Sequence, residues 1–562
     1  THHTVVFLAV PALRDHGVSG GLFAVDMCKS LSGGRFHIEN EAGEVQDLLD
    51  SNGAPLSELT AEDGRISAGG LAPGTYYLVE DEAPEGFIKN TTPLRFTITA
   101  EAAGQPIDPD SGLFSGTYAN YQGEFEITKQ DEFSTILSGG LFHVENEAGE
   151  TQTILDDQGR VKTVLSADDQ GIISGGGLAP GTYYLVEDEA PDGFIRNTTP
   201  LRFTISSEAA GEPNETDGSL FLDTYVNYQG KFSITKTDEW HRVLHGGTFH
   251  VEDETGEVQS IIDWNGNPVE HLTADDRGLI SGGGLAPGTY YLVEDEAPEG
   301  FIKNTMPLAF TIAAEAADEP SVPEGSLFSG EYVNYQGKFE ITKVDDSDQP
   351  LTGGTFHIEN KEGEIQTVLD TQGNPQTELS ADAQGLISGG GLAPGQYLLV
   401  EDEAPDGFIR NTTPLPFTIS DQLAGAPDVD NEGLFAGRYV NYLGEAVLVK
   451  VDQGGTTLEG AEFTLYGAFG NTLGVYTSDR NGEVRVSDLA PGDYTLKETK
   501  APDGYQLSER IVSFTVADTA ADQPDDIELG NYENSRIPEQ PPVPTKPGGT
   551  LANLNSLFSS SW

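Results

Sequence analysis

Three residue types that together can form a covalent amide, namely lysine, glutamate and asparagine, recur along this sequence at a fixed spacing. The lysines end an Ile-Thr-Lys string, or Leu-Val-Lys in the last repeat, and they are Lys129, Lys236, Lys343 and Lys450. In the third repeat Phe232, Ile234 and Lys236 alternate with polar residues, and alternate residues of a β-strand share one face. The pattern therefore predicts a strand that buries its lysine among apolar side chains.

The glutamates and asparagines show the same phase. The glutamates follow a Leu-Ala-Pro-Gly turn and are Glu187, Glu294, Glu401 and Glu498. In the fifth repeat Leu496 and Glu498 are in phase, so the carboxylate is expected to face inward. The asparagines are Asn227, Asn334, Asn441 and Asn531. Asn531 is preferred to Asn534 because it is in phase with the apolar Leu529.

Burial of these groups is compatible with two kinds of site. Removal from water lowers the pKa of a lysine and raises that of a glutamate, by up to ~3–5 units for fully buried groups. A neutral amine beside a protonated acid could then attack an asparagine carboxamide, release ammonia and leave a Lys–Asn amide crosslink. The alternative is a buried salt bridge capped by the asparagine, which costs several kcal/mol in desolvation and often only breaks even. Phase and spacing leave both interpretations open.

The spacing of these residues shows that the chain is a tandem array. Corresponding lysines recur every 107 residues, as between Lys129 and Lys236, which is far above the period of a solenoid repeat. Short alternating strands, separated by Gly, Pro and Asn turns and without sustained helical period, predict one β-sandwich in each repeat. The predicted divisions are an N-terminal segment 1–20, domains 21–121, 122–228, 229–335, 336–442 and 443–536, and a Pro-rich tail 537–562.

The amino-acid composition disfavours two classes of binding partner. Lys and Arg total 29 and Asp and Glu total 92, so the formal net charge is −63. This balance disfavours nucleic acid, whose phosphates require clustered cations, and it disfavours anionic membrane surfaces. The single cysteine, Cys28, excludes an intrachain disulfide. The sequence contains no run of 18 or more apolar residues, so it predicts no membrane-spanning helix.

The string LAPGDYTLKETKAPDGY at residues 489–505 resembles the E-box of Cna-B-type, prealbumin-like domains, which build SpaA-type pilins and other surface proteins of Gram-positive bacteria. The resemblance covers about residues 20–536 and implies an all-β chain of five tandem reverse Ig-like sandwiches in an elongated rod. It also implies that a first-strand lysine bonds spontaneously to a last-strand asparagine, promoted by the E-box glutamate. The triads carried over are Lys129, Glu187 and Asn227; Lys236, Glu294 and Asn334; Lys343, Glu401 and Asn441; and Lys450, Glu498 and Asn531.

The function that this resemblance implies is a structural stalk of a bacterial cell-surface protein or pilin-like adhesin, stiffened by the crosslinks. Only autocatalytic crosslinking is expected, with no external substrate and no cofactor. The alternative is a ligand-binding adhesin whose repeats recognise a host or matrix protein or glycan. Near-identical repeats favour the stalk, since GGGLAPGTYYLVEDEAP occurs from Gly175 and again from Gly282. The expected form is an extracellular monomeric rod at the cell surface or cell wall, with other surface subunits as further candidate partners.

The first repeat departs from the pattern. Glu80 and Asn120 are present, but Phe23 stands at the lysine position, which lies 13 residues before the phenylalanine of the Gly-Gly-x-Phe strand. Lys29 is only seven residues before that phenylalanine, Phe36. We therefore expect this domain to be uncrosslinked or incomplete.

Two other patterns have residue types that bind metals. A His-x-Glu pair recurs as His37/Glu39, His143/Glu145, His250/Glu252 and His357/Glu359. Its phase places it outside the core and only two ligands converge, so surface pairs are favoured over a metal site. Asp156 and Asp263 open turns that resemble the start of a calcium loop, but the glutamate required at the twelfth position does not follow, which favours plain turns.

Overall fold

The computed structural model describes residues 5–11, 31–50, 52–98, 115–269 and 271–539, and the regular structure in these ranges consists of β-strands. The chain divides into two compact units, residues 1–299 with 303–335 and residues 300–302 with 336–562. Cys28, Lys29, Phe23 and the Pro-rich stretch from residue 540 onward lie outside the described residues. Within the described ranges, no helix has the length and apolar character needed to cross a membrane.

The first unit contains three sandwich domains. The strands of the first domain are β1 (Val5–Pro11), β2 (Gly33–Asn40), β3 (Leu59–Ala61), β4 (Arg65–Ala68), β5 (Gly74–Glu82), β6 (Lys89–Asn90), β7 (Leu94–Ile98) and β8 (Ser115–Asn120). Those of the second are β9 (Gly123–Asp131), β10 (Gly139–Asn146), β11 (Ile154–Leu155), β12 (Val161–Lys162), β13 (Leu165–Ala167), β14 (Ile172–Leu178), β15 (Gly181–Glu189), β16 (Arg196–Asn197), β17 (Leu201–Ile205), β18 (Glu208–Ala209) and β19 (Leu220–Asn227). Those of the third are β20 (Gly230–Asp238), β21 (Gly246–Asp253), β22 (Ile261–Ile262), β23 (Pro268–Val269), β24 (Leu272–Ala274), β25 (Leu279–Leu285), β26 (Gly288–Glu296), β27 (Lys303–Asn304), β28 (Leu308–Ile312), β29 (Glu315–Ala316) and β30 (Leu327–Asn334).

The second unit contains two sandwich domains. The strands of the fourth domain are β31 (Gly337–Val344), β32 (Gly353–Asn360), β33 (Val368–Leu369), β34 (Pro375–Gln376), β35 (Leu379–Ala381), β36 (Leu386–Leu392), β37 (Gly395–Glu403), β38 (Arg410–Asn411), β39 (Leu415–Ile419), β40 (Gln422–Leu423) and β41 (Leu434–Val440). Those of the fifth are β42 (Gly444–Asp452), β43 (Glu462–Gly467), β44 (Thr472–Thr477), β45 (Glu483–Leu489), β46 (Gly492–Lys500), β47 (Ile511–Val516), β48 (Thr519–Ala520) and β49 (Ile527–Asn534).

Each domain is built from two facing sheets, and the second domain shows the plan. One sheet has the strand order β13-β10-β15-β17 and the other has the order β12-β11-β14-β9-β19. The first strand, β9, is antiparallel to β14 and parallel to the last strand, β19. Phe125 of β9 packs against Phe203 of the opposite sheet in a single buried core. The third and fourth domains repeat this strand order, which confirms the prediction of an all-β chain of tandem sandwiches.

Alternation of side chains explains how the first strand faces this core. In β9, Phe125, Ile127 and Lys129 are fully buried, whereas the side chains between them are partly exposed. Opposite them, β14 carries a run of glycines. A Cβ added at Gly175 would lie 2.1 Å from Cγ2 of Ile154, so the glycine leaves the room that this core side chain occupies.

The first domain corrects the predicted domain limits. Strand β1 pairs in parallel with β8 and antiparallel with β4, so part of the segment 1–20 belongs to this domain. The prediction that the domain begins at residue 21 is therefore wrong. The physical reason is that the sheet needs a strand between β4 and β8, and the continuous apolar run 5–10 supplies a strand suited to that central position.

Candidate crosslinking site

Pairing of the first and last strands brings the lysine and the asparagine together in each complete domain. In the second domain Lys129 on β9 lies opposite Tyr225 on β19, so Asn227, two residues further on, faces the same way as the tyrosine. The third and fourth domains also place their lysine opposite a tyrosine. The glutamate comes from the other sheet, where Glu187 lies on β15. The site therefore lies between the two sheets.

In the second domain the three predicted side chains meet. Lys129, Glu187 and Asn227 are at most 1 % exposed. The Lys129 amine donates to Oδ1 of Asn227, and its Nζ lies 4.0 Å from Oε1 of Glu187. Asn227 Nδ2 donates to Oε2 of Glu187 at 2.9 Å and to the carbonyl oxygen of Ile195 at 2.6 Å. The structure thus assembles this whole set inside the core.

The third and fourth domains have the same buried glutamate–asparagine pair. Asn334 Nδ2 donates to Oε2 of Glu294 at 2.9 Å, and Asn441 Nδ2 donates to Oε2 of Glu401 at 3.0 Å. Their lysines, Lys236 and Lys343, are fully buried. These two domains therefore repeat the buried glutamate–asparagine pair with a buried lysine in the same register on the neighbouring strand.

Each lysine amine also lies beside the ring of a tyrosine. The tyrosines are Tyr225, Tyr332, Tyr439 and Tyr532, with the amine nitrogen 5.2 to 5.5 Å from the ring centroid. Lys343 and Lys450 donate to the backbone carbonyl of that tyrosine at 3.4 and 3.0 Å. These tyrosines were not predicted, although a recurring Tyr-x-Asn string marks them in the sequence. They give the amine an aromatic wall that keeps water away.

In the fifth domain the prediction of Asn531 is wrong. Asn531 is exposed, whereas Asn534 is 1 % exposed and its Nδ2 donates to Oε2 of Glu498 at 2.9 Å. The last strand, β49, bulges at Leu529 and Gly530, where the glycine has a φ of 73°. The extra residue reverses the phase of the strand beyond it, so alternation counted from Leu529 selects the wrong asparagine. The Tyr-x-Asn string, which ends at Asn534, was the signal that could have found it.

The first domain has the glutamate and the asparagine, and Ala9 stands at the register position of the lysine. Asn120 Nδ2 donates to both carboxylate oxygens of Glu80 at 2.9 Å. Strand β1 places Ala9 opposite Tyr118, which is the register that the lysine takes in the other domains. The corresponding position is thus Ala9 rather than Phe23, because the segment between β1 and β2 is longer than its counterparts. Alanine has no amine with which to form the bond.

Burial changes the protonation of the site. Desolvation, partly opposed by the nearby glutamate, lowers the lysine pKa to about 8 at Lys129, Lys236, Lys343 and Lys450. Desolvation also raises the glutamate pKa at Glu187, Glu294 and Glu401, and to about 7 at Glu80. At pH 7 a lysine of pKa about 8 has about one amine in ten neutral, against roughly one in three thousand for an ordinary lysine. The site therefore favours a nucleophilic amine beside a protonated acid.

The position of the carboxyl group suits proton transfer between the two nitrogens. Oε2 of Glu187 accepts from Nδ2 of Asn227, the nitrogen that would leave. Oε1 has no hydrogen-bond partner among the described residues and lies 4.0 Å from the Lys129 amine, the nitrogen that would attack. A strong salt bridge would instead bring the ammonium within hydrogen-bond distance of the carboxylate. The carboxyl group thus lies close to both nitrogens that an amide exchange would involve.

The residues with metal-ligand character make ordinary protein contacts. His143 Nδ1 is hydrogen-bonded to Asp188 at 2.9 Å and Nε2 to Glu145 at 3.0 Å, and the other three pairs have the same arrangement. Asp156 accepts the backbone N–H groups of Gln158 and Arg160, as expected of a plain turn. In the part of the chain that the structure describes, no three His, Cys, Asp or Glu side chains are grouped to hold a metal ion.

The sandwiches coincide with matches to one family model. The model is described as "SpaA: Prealbumin-like fold domain" and matches residues 25–108, 123–217, 230–322, 337–432 and 444–531. The chain belongs to this family. The five matches confirm the predicted resemblance to tandem SpaA-type, prealbumin-like domains.

SpaA-type repeats of this chain are similar to parts of much longer proteins. Serine-aspartate repeat-containing protein F of Staphylococcus epidermidis is 24% identical over 405 residues, which is 64% of this chain and 22% of that protein. Serine-aspartate repeat-containing protein D of Staphylococcus aureus (strain Newman) is 25% identical over 375 residues, which is 45% of this chain and 20% of that protein. Colossin-A of Dictyostelium discoideum is 25% identical over 468 residues, which is 76% of this chain and 4% of that protein. The chain thus spans between 4% and 22% of the length of these relatives.

Solved structures also match this chain. BcpA, the major pilin subunit of Bacillus cereus, is 16% identical with a TM-score of 0.25, covering 57% of this chain and 99% of that chain. The Bacillus anthracis TIE protein is 18% identical with a TM-score of 0.29, covering 95% of this chain and 75% of that chain.

Proposed function

We propose that this chain is a load-bearing stalk segment of a bacterial surface protein, in which the second to fifth domains each close a Lys–Asn amide bond. The observation that carries the proposal is the contact between the Lys129 amine and the Asn227 carboxamide, beside Glu187, in a site closed to water. Membership of the SpaA family supports a place at the cell surface or cell wall. In this role the repeats transmit force between other surface subunits, or a host or matrix contact, and the cell.

The reaction balances with the groups at the site. The neutral Lys129 amine attacks Cγ of Asn227, the bond from Cγ to Nδ2 breaks, and Nδ2 leaves as ammonia. The protonated Glu187 delivers its proton to the departing Nδ2 and takes one from the attacking Nζ, so it ends in the protonation state in which it began. The product is a secondary amide. Because the three groups are held together in the core, high effective molarity supplies the rate, on the order of 10⁵ M or more.

The placement of the bond suits a protein under tension. Lys129 and Asn227 are 98 residues apart in sequence and lie on the first and last strands of their domain. Force that enters at β9 and leaves at β19 would pass through the amide, and the sandwich between them would carry little of it. Closing a loop of this length also stabilises the domain by about 4–5 kcal/mol, by analogy with a disulfide.

The test is the intact mass of the purified chain. We expect a mass lower than that of the plain sequence by four ammonia molecules, one from each of the second to fifth domains. Tryptic peptide mapping should recover branched peptides, among them Lys129 joined to Asn227 and Lys450 joined to Asn534. No branched peptide should contain Asn120. A mass equal to that of the plain sequence would overturn the proposal.

A variant pair separates chemistry from folding. Glu187→Gln keeps the size of the side chain but removes the acid, and it should restore one ammonia to the mass. Glu189→Gln changes an exposed residue on the same strand and should leave the mass deficit unchanged apart from the substitution itself. A deficit that is the same in both variants would contradict the role of Glu187.

A further inference from the structure

Short segments of three domains pair with the domain that follows in the chain. The parallel pairs are β6 with β18, β16 with β29 and β38 with β48. Just before each short strand lies an isoleucine, Ile88, Ile195 or Ile409, which is at most 3 % exposed and belongs to the hydrophobic core of the following domain. We call residues 195–197, and their counterparts 88–90 and 409–411, the junction segments.

The junction segment also holds the candidate crosslinking site of its own domain. In the second domain, the carbonyl oxygen of Ile195 accepts from Asn227 Nδ2 at 2.6 Å, and the backbone N–H of Asn197 donates to Oε2 of Glu187 at 2.7 Å. One residue of the segment thus orients the leaving nitrogen, and another orients the acid. The fourth domain repeats both contacts, at 2.5 and 2.7 Å.

The same segment is anchored from outside by the following domain. Oδ1 of Asn197 accepts from the backbone N–H of Asp318 at 3.1 Å. Arg196 forms an ion pair with Glu315 at 2.8 Å, and the backbone N–H of Thr198 donates to the carbonyl of a third-domain residue. The Ile195 side chain lies in the third-domain core. The third domain therefore fixes the backbone of the junction segment, which orients the reacting groups of the second domain.

The first and fifth domains show which parts of this arrangement belong together. In the first domain the backbone N–H of Asn90 donates to Oε2 of Glu80 at 2.7 Å, although Ala9 stands at the register position of the lysine. In the fifth domain the isoleucine position is Gln506, whose carbonyl accepts from Asn534 at 2.7 Å but whose side chain is exposed. The backbone contacts to the glutamate–asparagine pair are therefore present both where this side chain is buried in another domain, as at Ile88, and where it is exposed, as at Gln506.

We propose that Ile195 and Ile409 are positioning residues, through which folding of the following domain sets the rate of bond formation in the preceding one. The inference rests on the proposed function for the bond itself. Loss of the anchor would leave the backbone partners of Glu187 and Asn227 less firmly held, and a misplacement of about 1 Å can cost about a hundredfold in rate. The coupling runs one way, because the junction segment belongs to the preceding domain and its anchor to the following one.

The first test follows bond formation in the full chain during cell-free synthesis, with timed samples denatured and mapped for branched peptides. Ile195→Gln, the residue found in the fifth domain, should slow the Lys129–Asn227 bond about tenfold or more. Ile195→Val keeps an apolar anchor and should restore the wild-type rate. The Lys450–Asn534 bond should form at an unchanged rate in every variant and serves as the internal control. Amide hydrogen exchange of β10 and β15 shows whether the second sandwich itself remains folded.

The second test unfolds the third domain, which anchors the junction segment, without changing any residue of that segment. Ile280 is fully buried in the third-domain core, so Ile280→Asp should unfold that domain. We expect loss of the third-domain bond, a similar slowing of the second-domain bond and no change in the fourth. A second-domain bond that closes at the wild-type rate in both variants would overturn the inference while leaving the proposed function intact. Absence of ammonia loss from the wild-type chain would overturn both.

Discussion

Replacing Glu294 by glutamine should change the third domain from one that resists extension to one that extends under force. The substitution preserves side-chain size and the oxygen that accepts the backbone N–H of Asn304 at 2.7 Å. It removes the acid that would carry a proton from Lys236 to the nitrogen leaving Asn334. The sandwich should therefore fold with its amine and carboxamide unjoined.

The size of the effect follows from the positions of the two joined residues. Asn334 follows Lys236 by 98 residues, and each residue of extended chain spans about 3.3–3.6 Å, so the closed loop holds about 320–350 Å of chain. A joined domain cannot release this length, whereas an unjoined domain releases nearly all of it when it unfolds. Loss of loop closure should also lower the free energy of unfolding of this domain by about 4–5 kcal/mol.

Single-molecule extension of the whole chain measures this length directly. The variant should show one additional unfolding event of about 300–350 Å compared with the wild type. The first domain, whose lysine position is Ala9, should extend in both proteins and provides an internal reference. Glu296→Gln, an exposed change two residues further along β26, should behave as the wild type does.

Two results would refute this reasoning. The wild-type third domain could release the full length, which would mean that no bond shields the sandwich. Alternatively, the variant could lack the additional event while its mass shows the retained ammonia, which would mean that the unjoined sandwich withstands the same force. Mass and extension measured on the same preparation distinguish these two results.

Three further predictions concern pH and residue choice. Because the lysine pKa is lowered to about 8, ammonia release by newly synthesised chain should accelerate between pH 6 and 8, and a rate independent of pH in time-resolved mass spectrometry would contradict the neutral-amine step. Burial raises the pKa of Glu80 to about 7. Above the ordinary pKa of about 4.5, the native first domain therefore binds more protons than the unfolded chain does. The free energy of unfolding of the first domain should fall by about 3 kcal/mol as the pH rises to 7. Hydrogen exchange of residues 31–98 should show this fall, and Glu80→Gln should abolish it. Asn534→Ala should remove the fifth-domain bond from peptide maps, whereas Asn531→Ala should leave it, and the reverse pattern would refute the assignment made from the bulge.

The alternation of apolar and polar residues was sufficient to predict the buried face of strands that have no bulge. Phe125, Ile127 and Lys129 alternate with polar residues, and each residue that the alternation assigns to the inner face is buried. The inward direction of Glu498 follows in the same way from Leu496. These predictions succeed because the face of a side chain depends only on its parity within one strand.

Two features could not be predicted from local sequence, because they depend on pairing between strands that are far apart in the sequence. The bulge at Gly530 belongs to the pairing of β49 with β42, and it moved the buried asparagine from Asn531 to Asn534. Likewise, the strand at Val5–Pro11 is recognised only by its pairing with β4 and β8.

The sequence by itself determined the repeat, the sandwich and the residue types that face each core. Only the tertiary structure decided the register between strands 98 residues apart, and the entry of Ile195 into the core of a different domain. The physical reason is that the hydrophobic effect is non-directional and does not specify a partner. An isoleucine in a short segment must be buried, but which core receives it depends on how the domains pack.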